Sequence, residues 1–134
     1  MSERNGASVS LQWNLALNHE CGPTLRTDSA AVGLVTVRTD AFREVVFERE
    51  FYAMAQISKA ARPGARRVET AVRKDGKPGG DLETLGFRLK DGRTSLVVYN
   101  NRKEEVPAEV ECEGRYFEAR VPGRSLVTFV WRGP

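Results

Sequence analysis

The sequence predicts a mostly β protein in which a small antiparallel β-sandwich follows a strand, a loop and a helix. Three observations carry this expectation. From residue 65 onward, short segments of strand character succeed one another, separated by turn signals at the spacing of an all-β sandwich. Asp91-Gly92 and Glu113-Gly114 stand between pairs of these segments, where glycine accepts the positive φ that tight hairpin turns require. Residues 48–61 carry a helical period and end at Pro63-Gly64, a pair that stops a helix.

The first apolar run is residues 8–17. Val9, Leu11 and Trp13 alternate as in a strand. The run then becomes apolar on both parities through Leu15, Ala16 and Leu17, as in a strand buried on both faces of a parallel sheet. Asn18 to Ser29, rich in Asn, Gly, Pro, Thr and Asp, is expected as a loop. Residues 33–37 and 44–47 read as two short strands around a turn at Arg38–Phe42. In the helix over 48–61, Glu48 and Glu50 open and Lys59 and Arg62 close, matching the helix dipole. Phe51, Met54, Ala55 and Ser58 form its apolar stripe, widened by Tyr52 and Ala60.

The β segments then follow at 65–72, 82–90, 94–100, 106–112, 115–121 and 125–131, with Lys74–Asp81 as a polar turn and Pro122-Gly123 joining the last two. The chain thus divides near Arg62–Ala65. One strand and one helix cannot enclose a core. Residues 1–62 therefore either pack on the β domain or are the last unit of something larger.

Composition narrows the function classes. The chain has 134 residues, 40% hydrophobic and 29% charged, too apolar for intrinsic disorder. No run approaches the roughly 18 apolar residues of a membrane helix. The length excludes a complete (β/α)₈ barrel, which needs about 200 residues. The net charge of +3 falls entirely after residue 62, where basic residues alternate with acids. A nucleic-acid partner would cluster its basic residues on one face, so none is expected. Cys21, Cys112 and the single His19 lack metal-ligand spacing. No metal or cofactor is expected, and no disulfide is assigned. No basic segment followed by an apolar one opens the chain, so no signal peptide is expected within it.

Four segments resemble one family. Gln12-Trp-Asn-Leu-Ala-Leu-Asn18, then Gly22-Pro23, resembles the WNLAL(N/D)…GGP segment of glycoside hydrolase family 30, the glucosylceramidase-like enzymes. Phe51-Tyr-Ala-Met54, Ile57-Ser-Lys59 and Arg62-Pro-Gly64 resemble its (Y/F)YxLGHFSKFxRPG. Ser95-Leu-Val-Val-Tyr-Asn100 resembles its SLVVVxxN strand, and Ser125-Leu-Val-Thr-Phe-Val-Trp131 its closing SxxTFxW strand. The matches keep the family's order and approximate spacing across residues 8–132. Cys21 departs from the pattern where the first Gly of GGP stands, Ala55-Gln56-Ile57 replaces Gly-His-Phe, and Ala60-Ala61 replaces an aromatic-containing pair.

The resemblance implies an antiparallel β-sandwich over 63–134, preceded by the last strand and helix of an incomplete (β/α)₈ barrel over 1–62. It implies a retaining glycosidase acting on a carbohydrate or glycolipid. Both catalytic glutamates would lie upstream of residue 1, in a missing barrel portion that would be this chain's partner. The family is usually secreted or lysosomal. Trp13 would then wall a sugar subsite, since barrel active sites gather at the strands' C-terminal ends, or it would be plain barrel core. Asn14, facing the other way, would bind a hydroxyl or satisfy strand backbone. Asn18 and His19 would border the substrate entrance, or be incidental loop residues. Glu20, Glu48, Glu50, Glu104 and Glu105 read as exposed structural acids. Two other functions remain open: a stand-alone carbohydrate-binding module, and one half of a split two-chain hydrolase.

Overall fold

The structure, a computed structural model, describes residues 6–7, 9–23, 33–40, 44–75 and 77–133. It divides into two compact units, Met1–Ala55 and Gln56–Pro134.

In the first unit, β1 (Ala16–Asn18) pairs in parallel with β2 (Val35–Val37), which pairs antiparallel with β3 (Val45–Phe47). The expected hairpin of two short strands is present, and Arg38 N donates to Glu44 O across its turn at 3.1 Å. Residues 41–43 of that turn and 24–29 of the expected loop lie outside the described residues. The strand expected over 8–17 is much shorter than its apolar run. Val9, Leu11, Trp13 and Leu15 are 70–90% exposed, and Leu17 alone is buried. A strand apolar on both faces needs cover on both. Among the described residues β2 is its single partner, so only the paired end forms. That partner is parallel.

The helix α1 spans Arg49–Ala60, one residue inside the expected limits at each end. The Glu48 carbonyl accepts from Phe51 N at 3.1 Å, and its carboxylate Oε1 accepts from Thr36 Oγ1 at 2.6 Å. Glu48 therefore closes the first turn and fastens it to β2. The covered face differs from the expected stripe. Phe51, Met54, Gln56 and Ile57 are half-buried and Ala60 is buried, while Tyr52, Ala55 and Ser58 are exposed.

In the second unit, β4 (Arg66–Val68), β7 (Leu82–Arg88), β8 (Arg93–Asn100) and β11 (Ser125–Arg132) form an antiparallel sheet in the order β11-β8-β7-β4. A second antiparallel pair, β9 (Val106–Cys112) and β10 (Arg115–Val121), packs across from it. A ribbon of β5 (Arg73–Lys74) and β6 (Lys77–Pro78) takes the place of the expected polar turn, whose Gly76 is not described. The expected strands at 106–112 and 115–121 match their bounds, whereas 65–72 shrinks to β4. Glu113 and Gly114 have φ of 53° and 76°, a two-residue turn with both φ positive that suits a hairpin's twist.

The sandwich core lies between the two sheets. Leu96, Val98 and Val121 are buried there, with Leu82, Ala108, Val110, Val127, Phe129 and Trp131 around them. The reverse face of the four-stranded sheet is also covered. Leu85, Phe87, Ser95 and Val97 on it are buried. Ser95 Oγ donates to Ala60 O at 2.8 Å and Thr128 Oγ1 to Gln56 O at 3.4 Å. The Ala60 carbonyl is one of those a helix end leaves without an intrahelical partner, and β8 supplies the partner.

Candidate functional site

The four residues singled out as substrate-binding all fall in the first unit. Trp13 and Asn14 lie ahead of β1 rather than within a strand, joined by a cis peptide bond. The Trp13 indole is 84% exposed, so it is not core in this chain. Asn14 is half-buried, and its carbonyl accepts from Leu34 N at 3.1 Å. The following bond runs from Val35 N to Leu15 O at 3.0 Å.

Asn18 ends β1 and organises the turn after it. Its side-chain Oδ1 accepts from Glu20 N at 3.0 Å and Gly22 N at 2.6 Å, and its own amide donates to Gly22 O at 2.7 Å. Asparagine suits this position because its side chain mimics a backbone acceptor in a turn. With Oδ1 engaged, the Nδ2 group is what Asn18 can offer a ligand. His19 is exposed, and its Nδ1 faces Thr39 Oγ1 at 3.2 Å and Thr39 N at 3.4 Å. Those contacts leave Nε2 as its outward nitrogen. Trp13 and Asn14 thus precede β1, whereas Asn18 ends it and His19 lies in the turn beyond.

Several acids are engaged in ion pairs. Glu105 pairs with Arg120 at 2.9 Å, and Glu113 with Arg88. Asp81 bridges Lys74 at 3.0 Å and Arg102 at 3.1 Å. The Arg93 guanidinium beside Asp91, with help from the Arg93 amide, holds the Asp91 carboxyl down at about 2. Asp40 and Asp81 are likewise held below the usual carboxylate range by hydrogen bonds from Arg38 and Lys74. A glycosidase's general acid needs the opposite shift, upward toward neutrality. Cys21 and Cys112 are both half-buried free thiols. Among the described residues, no group of three His, Cys, Asp or Glu could hold a metal ion, and no helix is long and apolar enough to cross a membrane.

Phe117, Phe129 and Trp131, at strand spacing on β10 and β11, read as sandwich core, and Phe117 lies 5.5 Å from both other rings. That reading leaves out a second feature. Phe117 and Trp131 also floor a cavity of about 60 Å³ at the open end of the sandwich, rimmed by Glu113, Arg115, Tyr116 and Arg132. Exposed Tyr116, on the outward parity of β10, was the available signal.

Residues 64–129 match the glycosyl hydrolase family 30 beta sandwich domain. Over 122 residues the chain is 33% identical to the lysosomal acid glucosylceramidase of Mus musculus, covering 90% of this chain and 22% of that protein. Over 130 residues it is 28% identical to the endo-1,6-beta-D-glucanase neg1 of Aspergillus fumigatus, covering 95% and 26%. Two solved structures superpose with a TM-score of 0.79 at 25% identity: the endo-beta1,6-glucanase BT3312, and SrfJ from Salmonella typhimurium. They are matched by 90% and 91% of this chain, which covers 26% of each. The chain therefore spans about a quarter of the length of these relatives. These matches show that the chain belongs to glycosyl hydrolase family 30 and carries that family's C-terminal β-sandwich domain.

Proposed function

We propose that this chain is the C-terminal part of a retaining glycoside hydrolase that cleaves β-glycosidic bonds in a carbohydrate or glycolipid. In this reading residues 63–134 are a β-sandwich that supports the catalytic barrel. Residues 1–62 complete that barrel as its last strand and helix. One observation carries the reading. The similarity runs through the segment before the sandwich and so covers 90–95% of this chain, yet only 22–26% of glucosylceramidase and glucanase relatives.

Retention takes two carboxyls about 5–5.5 Å apart, one a nucleophile and one an acid/base. In our reading both belong to the barrel portion that this chain does not span. This chain's own contribution is binding. Trp13 presents an open indole face to a sugar ring, Asn18 offers Nδ2 to a hydroxyl, and His19 stands at the entrance. The Asn14 carbonyl holds Leu34 N, just ahead of β2.

The test is hydrolysis of an aryl β-glucoside by the purified chain, alone and mixed with the barrel portion of the enzyme. The expected result is silence alone and hydrolysis after mixing. Activity of the chain alone that is lost on changing a carboxylate within residues 1–134 would refute the reading.

A further inference from the structure

The sandwich has an open end that the proposed hydrolysis does not use. There the β9–β10 turn, at Cys112, Glu113 and Arg115, faces the end of β11 at Trp131 to Gly133 across the cavity of about 60 Å³. The floor is aromatic, with Phe117 edge-on to Trp131. Tyr116 stands beside it with 72% of its surface exposed. Glu113 is held by Arg88 through Oε1, leaving Oε2 as an acceptor. A Cβ at position 133 would lie 3.5 Å from that Oε2 and 3.3 Å from Arg88 Nη1, so a side chain there would stand against both rim groups. Arg115 and Arg132 are also on the rim, and their guanidinium groups form no ion pair or hydrogen bond among the described residues. At the same end of the sheet, Thr94 stands opposite both Arg88 and Trp131. Its buried hydroxyl has no partner among the described residues.

We propose that this cleft is an accessory binding site for a hexose unit of a saccharide chain. Tyr116 is its stacking platform, and the cavity takes the exocyclic hydroxymethyl group. The chemistry selects this ligand. Guanidinium donors and a carboxylate acceptor converge around aromatic surface, which is the mixture a small-molecule site uses to fix orientation. Glu113 opposes a bare anion, and the unpaired guanidinia oppose an apolar guest. The volume selects the group. At about 60 Å³ the cavity is far smaller than the roughly 300–1,000 Å³ of a pocket that encloses a whole ligand, so it takes a side arm while the ring stays outside. The choice of a glucose-based saccharide rests on the proposed hydrolase reading; the geometry of the cleft does not.

The experiment is a titration of the whole chain, followed by amide chemical shifts, with gentiotetraose and with xylotetraose, whose rings lack the hydroxymethyl. Gentiotetraose is expected to shift the amides of Gly114 to Phe117 and of Arg132 and Gly133. Tyr116→Ala should weaken this binding about tenfold, and Gly133→Val should block it by filling the cleft. Tyr99→Ala should leave it unchanged. No shifts at either oligosaccharide's solubility limit would overturn the proposal, as would shifts confined to residues 9–23 or equal binding of xylotetraose. Enzyme reassembled from its two portions and found inactive would sink the hydrolase reading without touching this titration.

Discussion

Asn100 is fully buried and uses its whole side-chain amide. Nδ2 donates toward Glu104 O, Val121 O and Pro122 O at 2.9–3.0 Å, while Oδ1 accepts from Arg102 N at 2.9 Å. One side chain thereby ties the corner after β8 to the corner where the chain leaves β10 and crosses to the other sheet as β11. At the same junction a Cβ on Gly123 would lie 1.9 Å from Lys103 O, so the two corners touch through bare backbone. Asn100→Ala takes this partner from the buried Val121 carbonyl and from the part-buried Glu104 and Pro122 carbonyls and Arg102 amide, and a buried group left unpaired costs about 1–3 kcal/mol. The expected loss is about 3 kcal/mol, read from the urea midpoint of the sandwich. Cys21 makes the opposite case. It has φ of 60°, a region that favours glycine, and it stands where the resembling motif has its first Gly. The left-handed conformation costs a side chain about 1–2 kcal/mol, offset by glycine's larger entropy loss of about 0.5–1 kcal/mol. Cys21→Gly should therefore stabilise the Asn18–Gly22 turn by about 0.5 kcal/mol, seen as slower exchange of the Asn18 amide. The sequence shows the departure at Cys21. Its backbone conformation could not be read from the residue type.

At the scale of elements, β8 is the strand that sequence alternation describes least well. Thr94 to Val98 are buried without a break, because the sandwich core covers one face and the end of α1 the other. The exposed run before β1 has the same apolar character on both parities and the opposite fate. Composition made the two alike, and the number of neighbouring layers separates them. The helix stripe failed for a related reason: the spacing of Phe51, Met54, Ala55 and Ser58 fixes that a face exists, but what covers it decides which edge is buried. Turn chemistry was read more directly, since Asp91-Gly92 and Glu113-Gly114 act within a few residues. At the first of these turns Arg93 N donates to Asp91 Oδ1 at 3.1 Å, and the Arg93 guanidinium donates to Oδ2 at 2.6 and 2.9 Å. Asp91 is thereby held at about 2, below its ordinary 3.8. A carboxyl whose folded pKa is lowered stabilises the fold above its unfolded pKa and ceases to as pH falls through the folded value. Asp91→Asn should therefore lower Tm at pH 6 and lose that deficit between about pH 4 and 2. A deficit unchanged at pH 2 would assign the effect to turn shape instead.

On the scale of the whole molecule, the buried apolar residues among those described are unevenly shared. Leu17 and Leu34 represent the first unit, against Ala60, Leu85, Phe87, Leu89, Leu96, Val97, Val98 and Val121 in the second. The first unit also exposes Val45, Val46, Phe47 and Tyr52 besides the run before β1. Contiguous exposed apolar surface marks an interaction site or an aggregation liability, and few buried contacts mark a segment that opens locally. Amides of β1, β2 and β3 should thus exchange quickly in the isolated chain, while those of β7, β8 and β11 are protected to the level of global unfolding. Adding the barrel portion of the enzyme should raise protection in β1 to β3 selectively, because the proposed function assigns their uncovered face to that portion. Hydrogen exchange with mass-spectrometric readout measures both states on one sample. Equal protection of the two units in the isolated chain would mean that the first unit is self-sufficient, and its apolar face would then need another explanation. Unchanged exchange after mixing would count against the barrel portion as its cover, even if the sandwich itself remained intact.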